Sequence, residues 1–249
     1  MAEVRRFTSD DGLLAEFVPL LVAQLQAAIV ARGQAYLVVS GGRTPLPLFQ
    51  QLAQAPLDWS RVTVCLADER WVAADHDASN ERLVREHLVN AKGQAVKGSA
   101  LNCLPLGLPL EFISLLPTAQ APQQALAELQ QRLAGLPTFD VVILGMGDDG
   151  HTASLFPCSA ELQHGLSTTD DVLLVQPTSA LHQRISLSKQ RLLNSRQIYL
   201  HLSGASKVPV LQQALQPGPE SAMPVRAFLH QQQVPVTVML AAPRVSTDV

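Results

Sequence analysis

Six short apolar runs rich in β-formers punctuate the chain, at 35–40 (AYLVVS), 62–67 (VTVCLA), 140–145 (DVVILG), 172–175 (VLLV), 197–202 (QIYLHL) and 236–240 (VTVML). Most show little polar alternation, the pattern of strands buried on both faces. Longer segments of helical period, 13–31, 45–54, 79–89, 119–134 and 205–215, lie between them. Strands alternating with helices predict an α/β fold, with a mostly parallel sheet and helices on both faces.

The 249 residues fit one large domain spanning 1–249, with no repeat and no true linker. Hydrophobic residues make up 47% and charged residues 16%, ample for a packed core and too little charge for disorder. Only the stretch 92–117, rich in Gly, Pro and Leu, reads as an excursion at the sheet edge or a weak boundary. The net charge of −3 supplies no overall positive field, so neither nucleic acid nor an anionic membrane is an expected partner. An anionic ligand must instead meet a local cationic cluster. Cys65, Cys103 and Cys158 form no CxxC pair, and no segment reads as a signal peptide or membrane span. A reducing, cytoplasmic setting is expected.

In open α/β sheets ligands bind beyond the carboxyl ends of the strands. After the run at 35–40 comes SGGRTPLPLFQQL, where Ser40, Gly41, Gly42, Arg43 and Thr44 precede a helix and Pro45 suits its first position. Bare amides, a helix N-terminus and an arginine fork make an anion cradle, although a tight turn with a threonine cap has the same composition. After 62–67 comes ADERWV, in which Arg70 can hold an anion and Asp68 orient it. A bare DER is more often solvated surface. The SNERLVREHL that follows reads as a surface helix capped by Ser79.

The third strand end, DVVILGMGDDGHTASLF at 140–156, contains Gly145, Gly147 and Gly150 in GxGxxG order and puts His151 where the turn should open a helix. A dinucleotide pyrophosphate would there face Asp148 and Asp149, and Pro157 cuts the expected helix short. Asp170 and Asp171 keep a ribose partner in range, so spacing alone leaves that reading open. The alternative is a general base, His151, oriented by Asp149. No GxSxG elbow supports a serine hydrolase, and the seven histidines show no HxxxH or HExxH spacing for a metal.

SGGRTP, then DERWV followed by SNERL, then GMGDDGHTASLFP, in that order and at these separations, resemble the 6-phosphogluconolactonases, and the later RISLS and GASK segments agree. The resemblance implies a single Rossmann-like α/β domain shared with the glucosamine-6-phosphate deaminases. It also implies hydrolysis of 6-phospho-D-glucono-1,5-lactone in the oxidative pentose phosphate pathway, without cofactor or required metal. Carried over by position, His151 is the base that activates water and Asp149 holds its tautomer. Arg43, Arg70, Arg184 and Lys207 together bind the 6-phosphate and the developing oxyanion, on a site that includes Ser40, Gly41, Gly42, Thr44 and Asp68. Taken singly, Arg184 reads as a surface pairing and Lys207 as solvated. The expected partner is a small sugar-phosphate lactone, and a monomer is expected in preference to an oligomer.

Two rivals remain. In the deaminase pattern a catalytic glutamate follows the histidine by five places, where this chain has Phe156, which favours hydrolysis. A non-catalytic sugar-phosphate sensor would not need the His151 and Asp149 pair. The chain also departs from the lactonase pattern after LFP, reading CSAEL where glycine often follows the proline.

Overall fold

The computed structural model describes residues 2–90 and 110–243. In chain order the elements are β1 (Glu3–Phe7), α1 (Asp10–Arg32), β2 (Ala35–Val39), α2 (Leu46–Ala53), β3 (Val62–Leu66), β4 (Asp68–Arg70), α3 (Asn80–Val84) and β5 (Glu111–Ile113). They continue with α4 (Pro122–Leu133), β6 (Val141–Leu144), α5 (Leu162–Ser167), β7 (Val172–Val175), β8 (Arg184–Leu187) and α6 (Lys189–Leu193). The last four are β9 (Ile198–Ser203), α7 (Lys207–Leu215), α8 (Arg226–Leu229) and β10 (Val236–Ala241). A π-helical turn, Arg85–Val89, extends α3.

Seven strands form one sheet in the order β1-β10-β9-β6-β2-β3-β5, and every neighbouring pair is parallel. The chain leaves β2 toward β3 on one side, whereas β6 returns on the other, so the strand order reverses between β2 and β6. Such a switch point opens a crevice between the loops that follow the two strands. The fold is the expected Rossmann-like α/β arrangement, its sheet flanked by helices.

Two expectations need correction. The run at 172–175 lies outside the large sheet, in a separate three-stranded antiparallel sheet of order β4-β8-β7. Its four apolar residues do not reveal direction, because strand polarity depends on the partner and not on composition. The two sheets meet at Ala67, whose N–H donates to Val39 and whose carbonyl accepts from Leu187, both at 2.9 Å. Of the stretch 92–117, residues 92–109 lie outside the described residues, while β5 pairs with β3 at the sheet edge.

The second correction concerns α1, which is long and apolar enough to cross a membrane by length and composition. Its apolarity follows from its place in the fold, since it packs against β1, β2, β6 and β10 and buries Leu13, Phe17, Leu21 and Leu25 completely. Its ends are well marked. Ser9 caps the first turn by accepting from Gly12 N–H at 3.1 Å, Asp10 and Asp11 oppose the positive end of the dipole, and Gly33 closes the helix at φ 82°.

A buried carboxylate ties this helix to the switch point. Asp140, just before β6, accepts from Tyr36 N–H at 2.8 Å, pairs with Arg32 of α1, and lies 3.3 Å from Arg196 Nε. It thereby fixes the start of β6 beside that of β2. Asp140→Ala should cost about 2 kcal/mol, the two arginines being half-exposed and screened; urea unfolding at neutral pH measures it.

His201 of β9 is buried against the Phe17 ring, centroids 5.6 Å apart, and its Nδ1 has no hydrogen-bond partner. Burial pushes its ring down to about 4, against a smaller upward pull from Asp10. Because the folded value lies below the unfolded one near 6.5, the stability it confers is full above that pH and is lost as pH falls toward about 4. Between about pH 7.5 and 4.5 the wild type should lose about 2.5 kcal/mol more than His201→Leu, read from denaturant midpoints.

Candidate active site

The crevice at the switch point is a cavity of about 210 Å³. Its lining includes Ser40, Gly41, Gly42, Arg43 and Thr44 from the loop after β2, Asp68 and Arg70 of β4, and His151 from the turn after β6. Lys207, the first residue of α7, completes it beside Asn80, Ala153 and His201. Nine of the eleven residues expected at a site therefore line one cavity. The other two, Asp149 and Arg184, stand directly behind lining residues.

The loop after β2 is built into the sheet edge. Ser40 N–H donates to Ile143 O at 3.0 Å and so extends the β2/β6 ladder by one residue. Gly42 has φ 100°, which disfavours any side chain. At Gly41 a Cβ would lie 1.9 Å from Asn80 Oδ1, so the loop and the start of α3 touch only because that position is glycine. Pro45 falls at the N-cap of α2, one place before the first helical residue expected for it.

The turn after β6 departs from expectation: residues 151–161 contain no helix, and α5 begins only at Leu162. The turn instead folds back on itself, with Gly147 N–H donating to His151 O at 2.9 Å and Gly150 N–H to Gly147 O at 3.1 Å. Thr152 Oγ1 donates to Gly145 O at 2.8 Å, Ala153 adopts φ 48°, and Thr152 bridges to Leu155. With no helix N-terminus behind the glycines, the turn lacks the part that would hold a dinucleotide pyrophosphate. Its glycines make room for the histidine, since a Cβ on Gly147 would stand 2.1 Å from the His151 ring.

Asp149 Oδ1 receives both the backbone N–H of His151, at 3.1 Å, and its ring Nδ1, at 2.6 Å. A carboxylate on Nδ1 selects the tautomer with its proton there and leaves Nε2 with a lone pair. Burial pushes the Asp149 carboxyl up, but the hydrogen bond from the ring, the ring's charge and backbone N–H groups override it, and the net shift is downward. Asp149 therefore remains an anionic acceptor. The face of the imidazole is covered by Phe156, with centroids 4.1 Å apart and planes 30° from parallel.

The DER segment is not solvated surface. Glu69 is wholly buried and accepts from the N–H groups of Arg70, Asn80 and Glu81 at 2.6 to 2.7 Å and from Ser79 Oγ at 3.1 Å. Burial pushes its carboxyl up against the pull of those amides. Glu69 thus works with Ser79 in capping α3, and the SNERL segment is buried at Ser79, Asn80 and Glu81 instead of lying on the surface. Asp68 accepts from the buried Ser154 hydroxyl at 2.6 Å.

Arg70 and Arg184 are directly opposed in the β4/β8 ladder. Arg184 is buried, contrary to the expected surface pairing, and its guanidinium is pushed down first by burial and then by the charge of Arg70. Its Nε and Nη1, like Nε of Arg70, have no hydrogen-bond partner, and neither arginine forms an ion pair among the described residues. Placing two guanidinium groups together in this way disfavours each and suits an anion between or beside them. Lys207, expected to be solvated, is mostly buried and donates to Asp148 Oδ1 at 2.6 Å.

Sequence reasoning did not single out Asn80 as part of this wall, nor Ser154 as the buried hydroxyl that holds Asp68. Asn80 is buried, donates to Asp68 O at 2.9 Å and leaves Oδ1 without a partner. The SNERL motif contained it, but a helix-capping pattern gives no sign of which capped residue faces a cavity. Among the described residues, no three His, Cys, Asp or Glu side chains gather as metal ligands.

Residues 8–238 match the family described as glucosamine-6-phosphate isomerases/6-phosphogluconolactonase. A 6-phosphogluconolactonase of Pseudomonas putida is 44% identical over 209 residues, covering 83% of this chain and 81% of that protein. The crystal structure of a 6-phosphogluconolactonase from Shewanella baltica superimposes with a TM-score of 0.87 at 45% identity, covering 97% of this chain and 98% of its own. A monomeric glucosamine-6-phosphate deaminase reaches a TM-score of 0.77 at 18% identity, covering 96% of this chain and 97% of its own, a likeness of fold alone. With both its sequence and its architecture matched across nearly their full length, the chain belongs to the glucosamine-6-phosphate isomerase/6-phosphogluconolactonase family.

Proposed function

We propose that this protein is a 6-phosphogluconolactonase, hydrolysing 6-phospho-D-glucono-1,5-lactone to 6-phospho-D-gluconate in the oxidative pentose phosphate pathway. The observation that carries the reading is the 2.6 Å contact of Asp149 with His151 Nδ1, at a cavity whose other walls present Arg43, Arg70 and Lys207. A base on one side and cations on the others suit a neutral, hydrolysable carbonyl attached to a phosphate dianion.

In this mechanism His151 Nε2 removes a proton from water as its oxygen attacks C1 of the lactone. The carbonyl oxygen becomes an oxyanion, stabilised by the nearby cationic groups and loop amides. As the intermediate collapses, the C1 to ring-oxygen bond breaks and the departing oxygen takes the proton from the imidazolium. Asp149, held anionic, supports the imidazolium between these two transfers. Arg43, Arg70, Arg184 and Lys207 share the phosphate and the oxyanion, with Ser40, Gly41, Gly42, Thr44 and Asp68 shaping the remaining wall. The same proposal includes cytoplasmic location, monomeric action and no nucleic-acid or membrane partner, in keeping with the net charge of −3.

Phe156 distinguishes this reading from deamination. Amine departure with ring opening needs an acid–base partner beside the histidine, and a buried phenyl ring cannot transfer protons.

Purified protein should accelerate lactone hydrolysis above its spontaneous rate and release no ammonia from glucosamine-6-phosphate. His151→Ala should lose about 10²- to 10⁴-fold in kcat with KM little changed, and the wild-type rate should fall on the acid side as the base is protonated. A wild type that leaves the spontaneous rate unchanged while binding the sugar phosphate would identify a sensor instead. Full activity in His151→Ala would remove the histidine from its role.

A further inference from the structure

We infer that Phe156 is a positioning residue for His151, holding the plane of its ring and favouring the imidazolium through its π face. The inference rests on the lactonase reading, in which His151 is the base.

Three constraints act on the imidazole. Asp149 holds Nδ1 at 2.6 Å, while Gly147 leaves room for the ring, since a Cβ there would stand 2.1 Å from it. Phe156 stacks on it at 4.1 Å and 30°. Asp149 alone fixes one atom and leaves rotation about that contact free, whereas a stacked ring restricts the tilt. Phe156 is itself immobilised, because it is buried and packs with Leu173 and Val175 of β7, with Ala180 beside them.

Phe156 does not line the cavity, so it meets the substrate only through the histidine. An aromatic face attracts a cation and is nearly indifferent to a neutral imidazole, so stacking stabilises the protonated state that exists between the two proton transfers. The other charged or titratable groups about the site are Asp149 on the same turn, the Asp148 and Lys207 pair where α7 begins, Asp68, Arg70 and Arg43 on the cavity wall, Arg184 opposite Arg70, and His201 of β9, which also lines the cavity. The Phe156 side contributes apolar groups, and beyond them Cys158, whose exposed thiol is lowered to about 7 by its hydrogen bond with Ser179. Because that thiol changes charge near neutral pH, the measurements belong in a Cys158→Ser background.

The test compares Phe156, Phe156→Leu, Phe156→Tyr and pentafluorophenylalanine at position 156, each by kcat, KM and the acid limb of the rate profile. Phe156→Leu should lower kcat about tenfold, keep KM within about twofold, and move the acid limb down by about half a pH unit. Phe156→Tyr should restore both kcat and the limb. Pentafluorophenylalanine, close in size to phenylalanine with its quadrupole reversed, should move the limb down even if the leucine variant does not fold. Titration of ¹⁵N-labelled imidazole, with His151 assigned by its loss in His151→Gln, reads the same shift without substrate. A wild-type limb and kcat in the folded variants, or a rise in KM with kcat intact, would overturn the inference. If the wild type shows no lactone hydrolysis, the lactonase reading fails by itself, and the imidazole titration still decides whether the stack raises the basicity of His151.

Discussion

All seven strands of the large sheet run in one direction, so their carboxyl ends share one edge, where the loop after β2, the turn bearing His151 and the start of α7 meet. The reversal of strand order between β2 and β6 then separates two of those loops and leaves a crevice between them. The rest of the site depends on this constraint. Ser40 is fixed by a ladder hydrogen bond to Ile143, and the turn bearing His151 starts one residue beyond β6. Asp140 sets the register at the opposite end of the same strand pair, so a carboxylate remote from the cavity helps decide where its two principal loops face each other.

The small antiparallel sheet adds a pair of cations. The β4/β8 pairing sets Arg70 opposite Arg184, and like charges directly opposite each other are destabilising. Repulsion and burial make that arrangement unfavourable in isolation, and Glu69 beside it is committed to capping α3 instead of neutralising either arginine. Lys207 differs because Asp148 already accepts from it. The cations of the cavity are therefore not equivalent: the opposed arginines keep unpartnered N–H groups, and the lysine must share its charge.

The sheet, its main strands and the long helices were legible because apolar runs and helical period depend on local sequence. Helix limits came within about three residues, as in α2, expected at 45–54 and found at Leu46–Ala53. Pairing was not legible: VLLV at 172–175 is equally apolar in a parallel or an antiparallel sheet, and RISLS gave no sign that Arg184 would be buried beside Arg70. The candidate site was legible as residues gathered at strand ends. What those residues do to one another was not, since the burial of DER depends on Glu69 meeting the amides of α3, a contact between segments eleven residues apart. The glycines at 145–150 misled in a particular way. They suggested a helix opening, but Asp149 accepts the His151 N–H and Ala153 takes a left-handed conformation, so the chain turns back before any helix forms.

That turn also shows where fold and chemistry separate. A glucosamine-6-phosphate deaminase shares this fold at 18% identity, so the fold does not choose between hydrolysis and deamination. The choice falls to side chains around one imidazole. A glutamate at position 156 would present a second proton-transfer group within reach of the His151 ring. A phenyl ring there presents an apolar, polarisable face, which leaves Asp149 as the acidic partner in direct hydrogen-bond contact with the histidine. A single base that takes a proton from water and returns it to a leaving oxygen is sufficient for opening a lactone, because the carbonyl is already at the oxidation level of the product. With phenylalanine at position 156, the proposed chemistry places the orientation of His151 at the centre of the site, held by the Asp149 contact and the stacked ring.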